Sequence, residues 1–136
     1  MIIKIKTDGR LPKYGYDDDC AADIFLQKDY ILQPNVMNKI PLGLCVDIPR
    51  GFEGNLRSRT SSLMKGIIVH SPSIDPGYTG EIHALISILG DKPMLIKKDQ
   101  RICSLIITPF VRGEFKYKEY DKKEARKFNG FGSTGE

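Results

Sequence analysis

Histidine, cysteine and tryptophan are scarce in this chain, and each scarcity closes a route. There are two histidines and no tryptophan. His70 and His83 stand at no metal-ligand spacing from each other or from a cysteine, so a zinc centre is not expected. The three cysteines, Cys20, Cys45 and Cys103, are far apart and lie in apolar stretches. An odd, unclustered set predicts reduced thiols, buried as small hydrophobes, in a cytoplasmic protein. No apolar run is long enough to span a bilayer. The alternating start Met1-Ile2-Ile3-Lys4-Ile5-Lys6 has no signal-peptide core and reads as an opening strand. A large excess of one charge is also missing: the net charge is +4, and the basic residues near the end are interleaved with Glu114, Glu119, Asp121 and Glu124. That pattern argues against a polybasic surface for nucleic acid and for local arginines aimed at a small polyanion. Neither a G-x-S-x-G elbow nor a Walker-type loop occurs.

What remains is ordinary for one globular domain: 136 residues, 40% hydrophobic and 28% charged. Short apolar, β-branched or alternating runs predict strands over 20–26, 36–40, 44–48, 66–69, 81–89, 102–107 and 115–120. Turn signals separate them, among them Asp8-Gly9, Pro34-Asn35, Pro49-Arg50-Gly51, Asp75-Pro76-Gly77 and Gly90-Asp91. Only 60–65 reads as helical, for about one turn. Many short strands with regular breaks predict an all-β sandwich or barrel. Residues 1–118 form that β domain in this reading. Residues 119–136 form a charged linker and a Gly-rich arm, Phe128-Asn129-Gly130-Phe131-Gly132-Ser133-Thr134-Gly135, expected to be mobile when nothing is bound.

Several segments carry chemistry. In the arm, glycines beside Ser133 and Thr134 suit a phosphate cradle, Phe131 suits stacking on a base, and Arg126 suits a phosphate oxygen. Ser73-Ile74-Asp75-Pro76-Gly77-Tyr78-Thr79-Gly80 sets an acid and an aromatic about a Pro-Gly turn, with backbone groups free to read the edge of a base. Asp-Pro-Gly is equally a common turn. Arg59 followed by Thr60, Ser61 and Ser62 at the start of a helical turn makes a candidate anion site; a solvated loop with an ordinary cap reads the same way. Asp23 follows two alanines, where backbone approach is close. The run Asp99-Gln100-Arg101-Ile102 leads into a hydrophobic strand and reads mainly as structural.

Taken in order, Ala21-Ala22-Asp23-Ile24, Arg59-Thr60-Ser61-Ser62, Ile74 to Gly80, Asp99-Gln100-Arg101-Ile102 and Arg126 to Gly135 resemble the five motifs of the trimeric deoxyuridine triphosphatases, the dUTPases. Ile40-Pro41-Leu42-Gly43 and Ile48-Pro49-Arg50-Gly51-Phe52 extend the resemblance over almost the whole chain. It implies a jelly-roll-like β fold, a homotrimer with active sites shared between subunits, and hydrolysis of dUTP to dUMP and pyrophosphate with Mg2+. By motif position, Asp75 activates the attacking water and Tyr78 lies against the deoxyribose. Arg59 with Thr60, Ser61 or Ser62 holds phosphate. Asp23 supports the metal-bound water or the arginine, and Ser104 stands in a supporting position. Arg126, Phe131, Gly132, Ser133 and Thr134 close over the nucleotide. The metal is carried by phosphates and water, with no direct protein ligand. The chain departs from the family pattern at Ser58, where proline is usual, at Ser104, where glutamine is usual, and at Lys127 and Asn129, where glycines are usual. The resemblance places the protein in the cytoplasm of a bacterium, or of a host cell infected by a virus. Two alternatives stay open. A dCTP deaminase shares the fold but carries a glutamate midway along the strand after the turn, where this chain has Leu85. A dUTPase-like protein could also serve a regulatory protein partner.

Overall fold

Alternation of side chains decides most of the architecture. The computed structural model describes residues 1–119. They form β1 Lys4–Thr7, β2 Ala22–Ile24, β3 Tyr30–Leu32, β4 Asn38–Pro41, β5 Leu44–Asp47 and β6 Phe52–Ser58, then the short helix α1 Thr60–Met64, then β7 Ile67–His70, β8 His83–Ile88, β9 Met94–Ile96 and β10 Cys103–Pro109. In β8, Ala84, Ile86 and Ile88 turn inward while His83, Leu85 and Ser87 turn out. That is the period of two expected of a strand with one buried face.

Every ladder among the described residues is antiparallel, and the pairing is nested. β2 pairs with β10, β3 with β9 and β4 with β8, as a long double ribbon wrapped on itself would give. β1 joins β5, β6 joins β10 and β7 joins β8. This all-β, jelly-roll-like wrap is the expected class. Its inside is filled by Ile24, Leu26, Leu32, Leu42, Leu44, Val46, Ile86, Ile96 and Cys103, all essentially inaccessible. Each such aliphatic side chain contributes about 1.5–3 kcal/mol on burial, more than an exposed ion pair, which is worth about 0–1 kcal/mol. The core therefore dominates stability. Among the described residues no helix is long and apolar enough to cross a membrane.

Three strands escaped the sequence pattern. β3 and β9 are three residues each, too short for a period to emerge. β6 contains Gly54 and Asn55, weak strand formers, but its seven-residue register with β10 overrides propensity. Gly54 has a packing reason: a Cβ there would lie 3.1 Å from the Ile48 side chain and 3.3 Å from that of Ile74. The strand expected over 115–120 does not form within the described part of that range. β10 ends at Pro109, which has no N–H to donate, and the side chains of Val111, Phe115 and Tyr117 stand in solvent. The expected arm lies almost wholly outside the described residues, which end at 119.

The cysteines also divide differently from expectation. Cys20 is exposed and Cys45 is half-buried. The Asp19 carboxylate accepts from the N–H groups of Gly15 and Tyr16, which folds 15–19 into an outer loop and leaves Cys20 on its surface. Cys103 alone is fully buried. Burial, with a smaller contribution from the Asp23 charge, raises its thiol from 9.0 to about 12. The unfolded chain then releases this proton first, so the Cys103 contribution is intact below pH 9 and is lost as pH climbs toward 12. Between pH 8 and 10 the wild type is expected to lose on the order of 1 kcal/mol more than Cys103→Ala. Denaturant titrations of both proteins at the two pH values check this; parallel losses would refute it.

Candidate functional site

The pairing of β2 with β10 sets Asp23 directly opposite Ser104. The Ser104 hydroxyl donates to Asp23 Oδ1 at 2.8 Å. Arg59, the first residue after β6, places Nε 3.2 Å from the same oxygen, and its Nη1 donates to the Arg101 carbonyl at 3.0 Å. Arg101, just before β10, reaches Asp23 Oδ2 with Nη1 at 3.2 Å. One carboxylate, with side-chain exposure of 14%, thus fixes two guanidinium groups, exposed by 29% for Arg59 and 43% for Arg101. Arg101 donates a hydrogen bond to Asp23, whereas Arg59 faces it as an ion pair that water screens less.

This cluster forms one wall of an open cavity of about 680 Å3, lined also by Tyr16, Arg57, Thr60 and Ser61. Ser62 is buried and lines an adjoining cavity whose walls also include Arg59, Ser61 and Arg101. Thr60 and Ser61 line the Asp23 cavity. Ser58, which stands where the family pattern has proline, is also accounted for. Its Oγ accepts from the Val69 N–H at 2.8 Å and donates to the Val69 carbonyl at 3.3 Å, tying β6 to β7 across the helical turn.

Asp75 and Tyr78 occupy a second place. The segment after β7 is anchored to β6 by paired bonds, Gly54 N–H to Ile74 carbonyl at 2.9 Å and Ile74 N–H to Gly54 carbonyl at 2.8 Å, and by the Ser71 hydroxyl on the Leu56 carbonyl. Ile74 is buried beneath, so the turn that follows is held out from the surface. The Tyr78 N–H donates to the Asp75 carbonyl at 3.1 Å, and Gly77 takes φ +95, which a side chain would oppose. The Tyr78 ring folds back over Gly80, where a Cβ would lie 2.6 Å from its hydroxyl. Asp75, Tyr78, Ser73, Lys39, His83 and Leu85 line a cavity of about 300 Å3 that shares no lining residue with the Asp23 cavity.

The structure thus brings Asp23, Arg59, Thr60, Ser61 and Ser104 together, and separately brings Asp75 to Tyr78. Arg126, Phe131, Gly132, Ser133 and Thr134 lie outside the described residues. Arg101 and Arg57 are wall residues that reading the sequence did not single out. Arg101 sits in Asp99-Gln100-Arg101-Ile102, and only the β2–β10 register reveals that it faces Asp23. Among the described residues no group of three or more His, Cys, Asp or Glu side chains could hold a metal ion.

Comparison with known proteins identifies the family. The sequence model of the dUTPase family matches residues 7–135. The deoxyuridine 5'-triphosphate nucleotidohydrolase of Clostridium tetani is 31% identical over 134 residues, covering 96% of this chain and 92% of the relative. That of Clostridium kluyveri is 33% identical over 138 residues, covering 99% and 96%. The dUTPase of Staphylococcus bacteriophage 80alpha, solved with dUPNHPP, superposes with a TM-score of 0.81 at 26% identity over 98% of each chain. A point mutant of the dUTPase from phage phi11 of S. aureus, which coordinates a structural Mg(II) ion, has the same fold, with a TM-score of 0.81 at 20% identity over 90% of this chain and 99% of that one. With a match that spans nearly the full length and relatives of nearly equal size, this chain belongs to the dUTPase family.

Proposed function

We propose that the chain hydrolyses dUTP to dUMP and pyrophosphate. The observation that carries this reading is the Arg59–Asp23–Arg101 cluster, two guanidinium groups held by one carboxylate beside Thr60 and Ser61. Such an array binds a chain of phosphates because its cations are positioned before the ligand arrives. Asp75 takes a proton from a water whose oxygen attacks the α-phosphorus. The bond from that phosphorus to the bridging oxygen breaks, and pyrophosphate leaves. Positioned general-base catalysis of this kind contributes roughly 10²–10⁴-fold, and the rest comes from alignment and charge neutralisation. Tyr78 packs on the deoxyribose, and the backbone of the turn pairs with uracil.

The two cavities share no lining residue, which supports a homotrimer in which one copy supplies Asp75 and Tyr78 and another supplies Arg59. Residues 119–136 act as the arm in this reading, with Arg126, Phe131, Gly132, Ser133 and Thr134 closing on the nucleotide. The oxygens of Asp23 are engaged by Arg59, Arg101 and Ser104, which supports a role for Asp23 in orienting arginine. Mg2+ fits here as an ion held by substrate phosphates and water, where it neutralises charge on the triphosphate. The cytoplasm is the proposed site of action. Leu85, which lines the Asp75 cavity, offers no carboxyl group for deamination.

Pyrophosphate release is expected from dUTP and not, at comparable rates, from dCTP, dTTP or UTP. Assaying all four tests the proposal. Ammonia from dCTP, or no turnover of dUTP, would overturn it.

A further inference from the structure

The residues between the Tyr78 turn and β8 are held by an arrangement that neither the family resemblance nor the general mechanism calls for. The connection from β4 to β5, residues 42–44, clasps residues 81 and 82 through three consecutive positions. The Leu42 N–H donates to the Ile82 carbonyl at 3.0 Å, and the Ile82 N–H donates to the Leu44 carbonyl at 2.8 Å. Between them the Gly43 N–H donates to the Glu81 carboxylate, Oε1, at 2.9 Å. Gly43 is itself fixed. Its φ is +71, its carbonyl accepts from Thr7 Oγ1 at 2.7 Å and from Gln27 Nε2 at 3.2 Å, and the Gln27 amide packs so closely that a Cβ on Gly43 would overlap it. The far end of the clasp carries Tyr78. The carbonyl of Glu81 accepts from the Tyr78 hydroxyl at 2.9 Å and lies 3.1 Å from His83 Nδ1. Glu81 therefore grips a rigid turn with its side chain and holds Tyr78 with its main chain.

We propose that Glu81 is a positioning residue for sugar discrimination: by locking onto Gly43 it sets the carbonyl that pins the Tyr78 ring over Gly80, and so fixes the wall that admits a deoxyribose and excludes a ribose. The inference rests on the proposed placement of Tyr78 against the sugar. Tyr78 is half-exposed and its ring sits on a glycine, so packing alone leaves the ring free to tilt. A wall that tilts by a fraction of an ångström makes room for one more hydroxyl, and since an apolar wall rejects an added hydroxyl by only about 10²-fold, a small tilt registers in the ratio. Glutamine keeps an acceptor for the Gly43 N–H, whereas alanine removes it.

The test uses the full-length protein with steady-state kinetics on dUTP and UTP. Turnover of dUTP by the wild type is checked first, and its absence would sink the functional proposal rather than this one. In Glu81→Ala the ratio of kcat/KM for dUTP over UTP is expected to fall about tenfold, with most of the change in KM. Glu81→Gln is expected to stay near the wild-type ratio. Tyr78→Phe, which removes the hydroxyl at the other end, should lower the ratio similarly, and the double variant Glu81→Ala/Tyr78→Phe should lose no more than Tyr78→Phe alone. An unchanged ratio in Glu81→Ala, or a Glu81→Gln variant as impaired as alanine, would overturn the proposal. So would independent, multiplying losses in the double variant. Should Glu81→Ala fail to fold, Glu81→Gln and Tyr78→Phe, each made singly, decide the matter: a wild-type ratio in the first and a lowered ratio in the second support it, and any other result rejects it.

Discussion

Asp75→Asn is expected to reduce dUTP turnover by roughly 10²–10⁴-fold while leaving nucleotide binding nearly intact. Asparagine has the size and shape of aspartate but cannot accept a proton at neutral pH. The exchange therefore removes the proposed base and little else. Asp75 lies on the exposed side of its turn, and the fold below is held by Ile74 and the paired bonds to Gly54; no core contact depends on the carboxylate. Loss of activity with an unchanged thermal midpoint and unchanged affinity for a non-hydrolysable imido analogue would isolate the chemical step. Full-speed hydrolysis by Asp75→Asn would remove the general base from the mechanism.

Asp23→Ala is expected to damage both stability and binding. It leaves the Arg59 and Arg101 guanidinium groups and the Ser104 hydroxyl without their common acceptor. Hydrogen bonds to a charged partner are worth about 1.5–3 kcal/mol each where water is largely excluded. The Arg101 bond is discounted because that side chain is 43% exposed. A net cost of roughly 2 kcal/mol follows. Without Asp23, Arg59 is held only by its bond to the Arg101 carbonyl, and under the proposed phosphate-binding role kcat/KM for dUTP should fall at least about tenfold, chiefly through KM. Asp23→Asn keeps an acceptor for Ser104 but no charge for the arginines, and should fall between the wild type and Asp23→Ala. Denaturant unfolding and steady-state kinetics on both variants check the pair. A variant that lost stability but kept its KM would confine Asp23 to a structural role.

Legibility in the sequence differed sharply from element to element. Leu44–Asp47, His83–Ile88 and Cys103–Pro109 lie in segments that announce strands, because their inward faces are almost wholly apolar or β-branched. The turn from Ile74 to Gly80 was equally plain, since proline and glycine restrict the backbone locally. Phe52–Ser58 was not legible: its glycine makes room for Ile48 and Ile74, neighbours contributed by other segments. Residues 115–119 show the opposite failure. Their alternation is strand-like, yet alternation alone does not make a strand, and no strand is formed over them in the described chain.

The candidate site repeats the same division. Asp23, Arg59, Asp75 and Tyr78 stood out as candidates because each stands in a short motif whose chemistry is local. Arg101 was missed because its role exists only through the register that lays β2 beside β10. The burial of Ser62, beside the more open Thr60 and Ser61, is likewise something a helical turn cannot reveal until it is packed. Composition, turn chemistry and the order of motifs determined the all-β class and the family. Those properties follow from the preferences of single residues and their neighbours. Tertiary structure alone decided which distant groups share one carboxylate, and why Glu81 grips Gly43. Strand pairing joins residues far apart in the chain, and the free energy of those contacts appears only once the loops between them have closed.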